Sequence, residues 1–169
     1  MKIYTKRGDA GQTDLLSKRV RKTDLEINVN GYVDETMAIV LMTRHHIDDP
    51  DVISMLDTIH ADLFSVAHEI ALDDPDKRVT TEEAVKRIEE WIDRYQSKME
   101  PLRKFIRLEK TMAASWLNMA RVTVRRAERE MAHLAETKEL NPFTLALMNR
   151  LSDFFFVLGR FHNHPEQED

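Results

Sequence analysis

Cysteine is absent from this sequence, and glycine and proline are rare. With no cysteine, the chain can form neither disulfides nor thiolate metal sites, and a reducing compartment such as the cytoplasm is expected. Only four glycines and five prolines interrupt 169 residues, which favours long helices. No apolar run approaches the roughly 20 residues that cross a bilayer, and no signal-peptide core opens the chain. We therefore expect a soluble cytoplasmic protein without a membrane partner.

The sequence also lacks a strong excess of either positive or negative charge. The net charge is -5, with 33% of residues charged. This mixed, mildly acidic composition argues against nucleic acid as a partner, although it permits a local basic pocket. The length fits one domain spanning residues 1–169.

Apolar residues recur at helical spacing in five segments. The segments cover about residues 31–47, 51–72, 80–99, 105–134 and 141–163. Thr80 and Glu83 have capping-box spacing before the third helix, and Asn141 with Pro142 forms a typical start for the fifth. The pattern predicts an all-α fold, a five-helix antiparallel bundle at residues 31–163, followed by a disordered tail at residues 164–169.

The stretch "TKRGDAGQT" concentrates half of the glycines of the chain, Gly8 and Gly11, within four residues. It lacks the lysine and spacing of a Walker phosphate loop. Its amides could still bind phosphate, with the hydroxyls of Thr5 and Thr13 as further donors and Lys6 as a point charge. A frayed polar terminus is the ordinary alternative.

Basic residues form two further clusters. The run "KRVRK" at residues 18–22 would suit a polyphosphate, but it could equally be a solvated basic run. Arg121, Arg125 and Arg129 recur every four residues, so they share one helix face, with Glu128 on the same side. This face could hold phosphate oxygens through paired guanidinium donors, or it could form ordinary surface salt bridges.

An aromatic triplet, Phe154 to Phe156, follows "NRLSD". Because three consecutive residues point around more than one side of a helix, at least one should face a partner subunit or a large apolar ligand. No metal-ligand spacing, catalytic triad or carboxylate dyad accompanies these clusters. The anion-binding residues without a protein nucleophile indicate chemistry performed by a cofactor or by the substrate.

Five motifs in this order resemble the ATP:cob(I)alamin adenosyltransferases of the propanediol-utilisation type. They are "TKRGDAGQT", "RVRK", "GYVDE", "RVTVRRAER" and "NRLSD", and they extend over nearly the whole chain. The resemblance implies a homotrimeric five-helix bundle with each active site between neighbouring subunits. It also implies that the 5'-deoxyadenosyl group of ATP moves to the cobalt of reduced cobalamin, with release of triphosphate and with Mg²⁺ on the phosphates.

The resemblance also implies roles for individual residues. In the N-terminal segment, residues 1–30, it assigns ATP binding to Thr5, Lys6, Gly8, Asp9, Gly11, Thr13 and Lys22. Arg125 and Asn149 match positions that contact the nucleotide phosphates. Arg121 matches an arginine that pairs with the acidic residue of the "VDE" motif, here Asp34, across the subunit interface.

The resemblance implies that Glu128 holds the neighbouring arginines in place and that Phe105 lines the corrinoid side of the site. The family reads I-L-P-G-G after this phenylalanine, whereas this chain reads "FIRLEKT". The substituted residues are compatible with a helix, so a helix starting near residue 105 is expected. An alternative to the enzyme is an ATP-binding regulatory or assembly module on the same fold, with a degenerate cobalamin site.

Overall fold

The computed structural model describes residues 2–164 and contains five long helices. The helices are α1 (Leu25–Arg44), α2 (Pro50–Leu72), α3 (Glu82–Gln96), α4 (Met112–Ala135) and α5 (Pro142–Phe161). The predicted five-helix fold is confirmed. Of the predicted tail, residues 165–169 lie outside the described residues.

Side-chain caps begin three of the helices. At α5, the Asn141 side chain accepts a hydrogen bond from the Phe143 amide at 3.0 Å, and Pro142 occupies the first turn. Asp49 and Thr111 cap α2 and α4 in the same way. Such caps satisfy amides that have no partner inside the helix, so the local sequence fixes these three starting points.

Two starting points differ from the prediction. α1 begins at Leu25, ahead of the expected Gly31, because the stripe of buried residues already includes Val29. The N-terminal segment therefore ends at Asp24. The predicted capping box at Thr80 is wrong, since Thr81 is the N-cap of α3 and the Thr80 amide donates to Glu69 at 2.5 Å.

The stretch from Phe105 to Thr111 is not helical, which contradicts the expected start of the fourth helix at residue 105. Leu108 is buried against α5, and backbone groups on both sides of it bond to the Asn163 side chain. These tertiary contacts outweigh the helix propensity of the segment.

Consecutive helices run in alternating directions. Arg44 at the end of α1 pairs with Asp57 in the first half of α2, so these two helices run in opposite directions. Glu35 in the middle of α1 pairs with Arg126 in the middle of α4. α3 and α5, which are separated by one helix in the chain, pack side by side and in parallel. Their contacts advance together along both helices, as Glu89–Arg150, Trp91–Phe154 and Tyr95–Phe161.

The core lies between the five helices and includes Phe154 and Phe155, which are fully buried. Phe156 is partly exposed and packs against the edge of the core, and the predicted contact of one ring with a partner subunit or a large apolar ligand stays a prediction. Within residues 2–164, no helix is both long and apolar enough to cross a bilayer.

A two-stranded hairpin precedes the bundle. β1 (Gln12–Asp14) pairs antiparallel with β2 (Arg19–Arg21), with Thr13 opposite Val20. The sequence prediction of an all-α fold omitted this element, whose strands of three residues each are too short to show an alternating pattern.

Candidate active site

The N-terminal loop brings Gly8, Gly11 and Lys22 together. Gly11 has φ +78°, a conformation that favours glycine, and its carbonyl accepts from the Lys22 amide at 2.9 Å. A Cβ on Gly8 would lie 3.2 Å from Lys22 Nζ. The ammonium of Lys22 therefore stands directly over the glycine loop, although the two are distant in sequence.

The other predicted ATP-binding residues surround this loop. Lys6 adopts φ 60°, and Thr5, Lys6 and Asp9 are exposed while Thr13 is partly buried in β1. Within residues 2–164, neither Lys6 nor Lys22 takes part in an ion pair. The loop thus presents two cations to solvent.

The rest of the basic run has structural partners among the described residues. Arg19 bonds to Asp14 at 2.8 Å and to the Arg7 carbonyl at 2.6 Å. Arg21 pairs with Asp24 at 3.0 Å. These residues brace the hairpin, and the Lys22 ammonium lies over Gly8.

Four alternating charges, which we call the charge ring, fasten the hairpin to the bundle. They are Lys18, Glu26, Asp73 and Lys138. Lys18 Nζ lies 2.9 Å from Glu26 and 3.2 Å from Asp73, and Lys138 Nζ lies 2.6 Å and 2.8 Å from the same two carboxylates. Burial opposes ionisation of Asp73, but hydrogen bonds and charges of the two lysines lower its pKa overall.

Three arginines on α4, Arg121, Arg125 and Arg129, carry positive charge without an acidic partner among the described residues. Arg121 is partly buried and donates from Nε to Asn118 at 3.0 Å, while Arg125 is exposed. Burial, and then the charge of Arg125, lower the pKa of Arg121. The neighbouring Arg126 differs, because it pairs with Glu35 and lies over the Tyr32 ring. The electrostatics favour an anion beside Arg121 and Arg125.

Asn149 on α5 meets Glu128 on α4. Its Nδ2 donates to Glu128 at 2.8 Å, and its Oδ1 accepts from Arg150 at 2.6 Å. Among the described residues, Glu128 contacts this amide rather than the arginines that it was expected to hold. The structure therefore links two of the predicted site residues through a contact that the spacing did not indicate.

Asp34 is exposed on α1, and none of the ion pairs within residues 2–164 includes it. Arg121 of the same chain bonds elsewhere. The predicted pairing of these two residues across a subunit interface stays a prediction.

Phe105 projects from the irregular segment before α4 and is 96% exposed. Beneath it lies a cavity of about 350 Å³, whose walls include Phe105, Arg107, Asn118, Arg121 and Phe156. The structure thus brings together the exposed ring of Phe105, the partly exposed ring of Phe156 and the guanidinium of Arg121. Sequence reasoning had treated these three as separate features.

The glycine loop and the arginine face of α4 are not brought together within one chain. Across residues 2–164, no hydrogen bond or ion pair connects residues 4–22 with Arg121, Arg125 or Asn149. Instead, the charge ring holds the hairpin where α1 begins and α2 ends.

Several corrinoid adenosyltransferases are similar to this chain in sequence and fold. A corrinoid adenosyltransferase from Bacillus subtilis is 35% identical over 96% of this chain and 87% of its own length. PduO from Salmonella typhimurium is also 35% identical, over 95% of this chain and 49% of its own length.

Solved structures of corrinoid adenosyltransferases have the same fold as this chain. A variant PduO-type ATP:corrinoid adenosyltransferase from Lactobacillus reuteri, complexed with cobalamin and ATP, has a TM-score of 0.89 at 34% identity and covers 96% of this chain and 91% of its own. A second variant, complexed with ATP, has a TM-score of 0.90 and covers 95% of this chain and 94% of its own. The sequence profile of the cobalamin adenosyltransferase family matches residues 3–162, and the chain therefore belongs to that family.

Proposed function

We propose that this protein transfers the 5'-deoxyadenosyl group of ATP to the cobalt of a reduced corrinoid, with release of triphosphate. The observation that carries the proposal is the position of Arg121. It lies close enough to Arg125 for the two positive charges to repel each other, and an anion between them would relieve this repulsion. Arg121 also lines the cavity under Phe105. One side chain thus borders the phosphate face and an aromatic-walled cavity that suits a corrin macrocycle.

The nucleotide half of the site consists of the glycine loop and the arginine face. Amides at Gly8 and Gly11, the hydroxyls of Thr5 and Thr13, and Lys22 would bind the triphosphate from one side. On the other side, Arg125 and the amide of Asn149 would contact phosphate oxygens, with Glu128 orienting that amide. Lys6 supplies a further charge.

Mg²⁺ fits this half as a companion of the nucleotide. Residues 2–164 contain no cluster of three or more acidic or histidine ligands that could hold a metal alone. Asp9, exposed in the loop, is the one carboxylate among the predicted ATP-binding residues. Mg²⁺ is commonly bound by one or two carboxylates together with substrate phosphates, so Asp9 is the residue that would contact it.

The transfer forms a cobalt–carbon bond and breaks the C5'–O bond of ATP, and the bonding electrons leave with triphosphate. The reduced cobalt of the substrate is the nucleophile, so the protein needs none. Its residues would orient the two substrates, stabilise the negative charge on the leaving triphosphate through Arg125 and Lys22, and keep water from the cobalt with Phe105 and Phe156.

We further propose a cytoplasmic homotrimer in which each site lies between subunits. The separation of the glycine loop from the arginine face within one chain supports this arrangement, because a neighbouring copy would supply the missing half. Asp34, exposed and without a partner among the described residues, would pair with Arg121 of the adjoining subunit.

The decisive experiment mixes purified protein, Mg²⁺, ATP and chemically reduced cob(I)alamin without oxygen and follows the cob(I)alamin absorption. We expect its loss to require both protein and ATP and to yield a photolabile alkyl-cobalt product. Unchanged absorption, in protein that binds ATP in a separate titration, would instead support the regulatory module. That alternative is not favoured by the Lactobacillus reuteri structure, which contains both cobalamin and ATP.

A further inference from the structure

One side chain fastens the segment at residues 105–111 to the end of α5. Asn163 Oδ1 accepts from the Lys110 amide at 3.0 Å, and Asn163 Nδ2 donates to the Arg107 carbonyl at 2.9 Å. Asn163 is only 7% exposed. Because the two bonded backbone groups flank Leu108, a single amide fixes the path of the chain on both sides of that residue.

Leu108 itself fits against a glycine. A Cβ built on Gly159 would lie 3.1 Å from Leu108 Cδ1 and 3.4 Å from Leu117 Cβ, so a larger residue would require the Leu108 side chain to shift. The Thr111 hydroxyl adds a bond to the His162 carbonyl at 2.7 Å. We call Leu108, Thr111, Gly159 and Asn163 the clamp.

Phe105 depends on the clamp for its position. Its side chain is 96% exposed and so has almost no packing of its own to hold it at the rim of the cavity. The restraint nearest to Phe105 in sequence is the clamped backbone at Arg107 and Lys110. Residues 105–111 contain neither glycine nor proline, so no residue of the segment restricts its own backbone to a defined turn.

We propose that Asn163 and Gly159 are positioning residues for the corrinoid substrate. Through the clamp, they hold the Phe105 backbone where the ring can cover one face of the macrocycle. This inference rests on the proposed function. It assigns the two residues no contact with ATP.

The test compares Asn163→Ala with a matched control, Thr144→Val. Thr144, at the opposite end of α5, also makes a buried hydrogen bond, donating to Glu69 at 2.8 Å, but lies away from the clamp. For Asn163→Ala we expect the KM for cob(I)alamin to rise about tenfold, as the loss of two buried hydrogen bonds would give, with the KM for ATP unchanged. The control should change neither KM.

Gly159→Ala provides a second variant should Asn163→Ala fold poorly. Its Cβ would displace Leu108, so the KM for cob(I)alamin should rise in the same selective way. Adding Leu108→Val removes the atom that the new Cβ meets and should recover part of the loss. A purely structural role would not produce this selective rescue.

Limited trypsin digestion gives a readout that needs no turnover. Four basic residues, Arg103, Lys104, Arg107 and Lys110, lie in or next to the clamped segment and are exposed. Cleavage there should accelerate in Asn163→Ala and Gly159→Ala but not in Thr144→Val. Faster cleavage with an unchanged KM for cob(I)alamin would overturn the proposal, and so would an equal rise in both KM values.

Failure of the proposed function would be visible separately. If the wild-type protein transfers nothing, that function is wrong, and equilibrium binding of cobalamin in the presence of ATP then decides the clamp. Weaker binding by Asn163→Ala than by wild type would support the positioning role. Equal binding would contradict it.

Discussion

The two halves of the site are attached to the same bundle by different physical means. The charge ring, which consists entirely of ion pairs, holds the hairpin of the nucleotide half. The clamp, which consists of neutral hydrogen bonds and one apolar contact, holds the segment that carries Phe105. Salt weakens ion pairs according to their exposure, so in the ring it acts most on Lys18 with Asp73, and it leaves neutral contacts nearly unaffected. Solution conditions should therefore loosen one half without loosening the other.

The difference suits the two substrates. The nucleotide half binds a polyanion, so the charges that position it belong to the same electrostatic environment as its ligand. The corrinoid half binds a large, mainly apolar macrocycle, and neutral contacts hold Phe105 without adding charge to its surroundings. Three variants and the pH dependence of stability test whether the two halves respond independently.

The largest effect should come from separating the two halves altogether. Asp34→Ala would remove the proposed partner of Arg121 in a neighbouring subunit, at a cost of about 2–5 kcal/mol if that pair is buried. We expect a smaller mass by sedimentation and a loss of turnover. Glu35→Ala is the matched control, because Glu35 pairs with Arg126 of its own chain. Normal mass and normal rate in Asp34→Ala would rule out the interface role.

Arg125→Ala should damage the nucleotide half alone. Losing hydrogen bonds to a charged phosphate costs about 1.5–3 kcal/mol, which weakens ATP binding by roughly 10- to 150-fold. Calorimetric titration of ATP measures this directly. Arg129→Ala, one turn further along the same exposed face, should change the affinity much less. Unchanged ATP affinity in Arg125→Ala would remove this residue from the phosphate site.

The charge ring should make the nucleotide half sensitive to salt. Lys138→Met removes one of its two cations, and because Glu26 and Asp73 keep Lys18 as a partner, a severalfold rise in the KM for ATP is expected. The variant should also lose part of the salt dependence that wild type displays. The KM for cob(I)alamin should not respond. If the charge ring had no effect on nucleotide binding, Lys138→Met would have the wild-type KM values for ATP and cob(I)alamin and the wild-type salt dependence of each.

The smallest effect should appear in the pH dependence of stability. Because the folded state lowers the pKa of Asp73, its contribution is present above the ordinary value of 3.8 and is lost as the pH falls through the lower folded value. The folded state raises the pKa of Lys18, chiefly through its bond to Glu26, so that contribution is lost only as the pH rises beyond 10.5. The difference in unfolding free energy between wild type and Asp73→Asn should thus shrink in acid. A difference independent of pH would contradict the ring.

The helical pattern predicted most of the fold, because burial of one face imposes a period that can be counted in the sequence. Helix ends were predictable where a cap lies within the same few residues, as at Asn141. Helix ends were not predictable where a residue distant in sequence determines them. Glu69 accepts the Thr80 amide and Asn163 holds Lys110, and neither contact leaves a local signal.

For the site, motif matching predicted the residues and the family but not their partners. Lys18 lies in the same basic run as Lys22, yet one joins the charge ring and the other faces the glycine loop. Glu128 lies among arginines in sequence but bonds to an amide of the next helix. Composition and spacing cannot distinguish such neighbours, since the choice depends on which helix lies opposite.

By itself, the sequence determined five amphipathic helices, the glycine loop, the arginine face of α4 and membership of the family, because each depends on residues close together along the chain. The tertiary structure decided that Arg121 and Phe156 share a cavity with Phe105, that four charges close into a ring, and that a glycine and an asparagine at the end of α5 hold the segment before α4. These arrangements join residues separated by tens of positions. Only the packing of one helix against another brings them within contact distance.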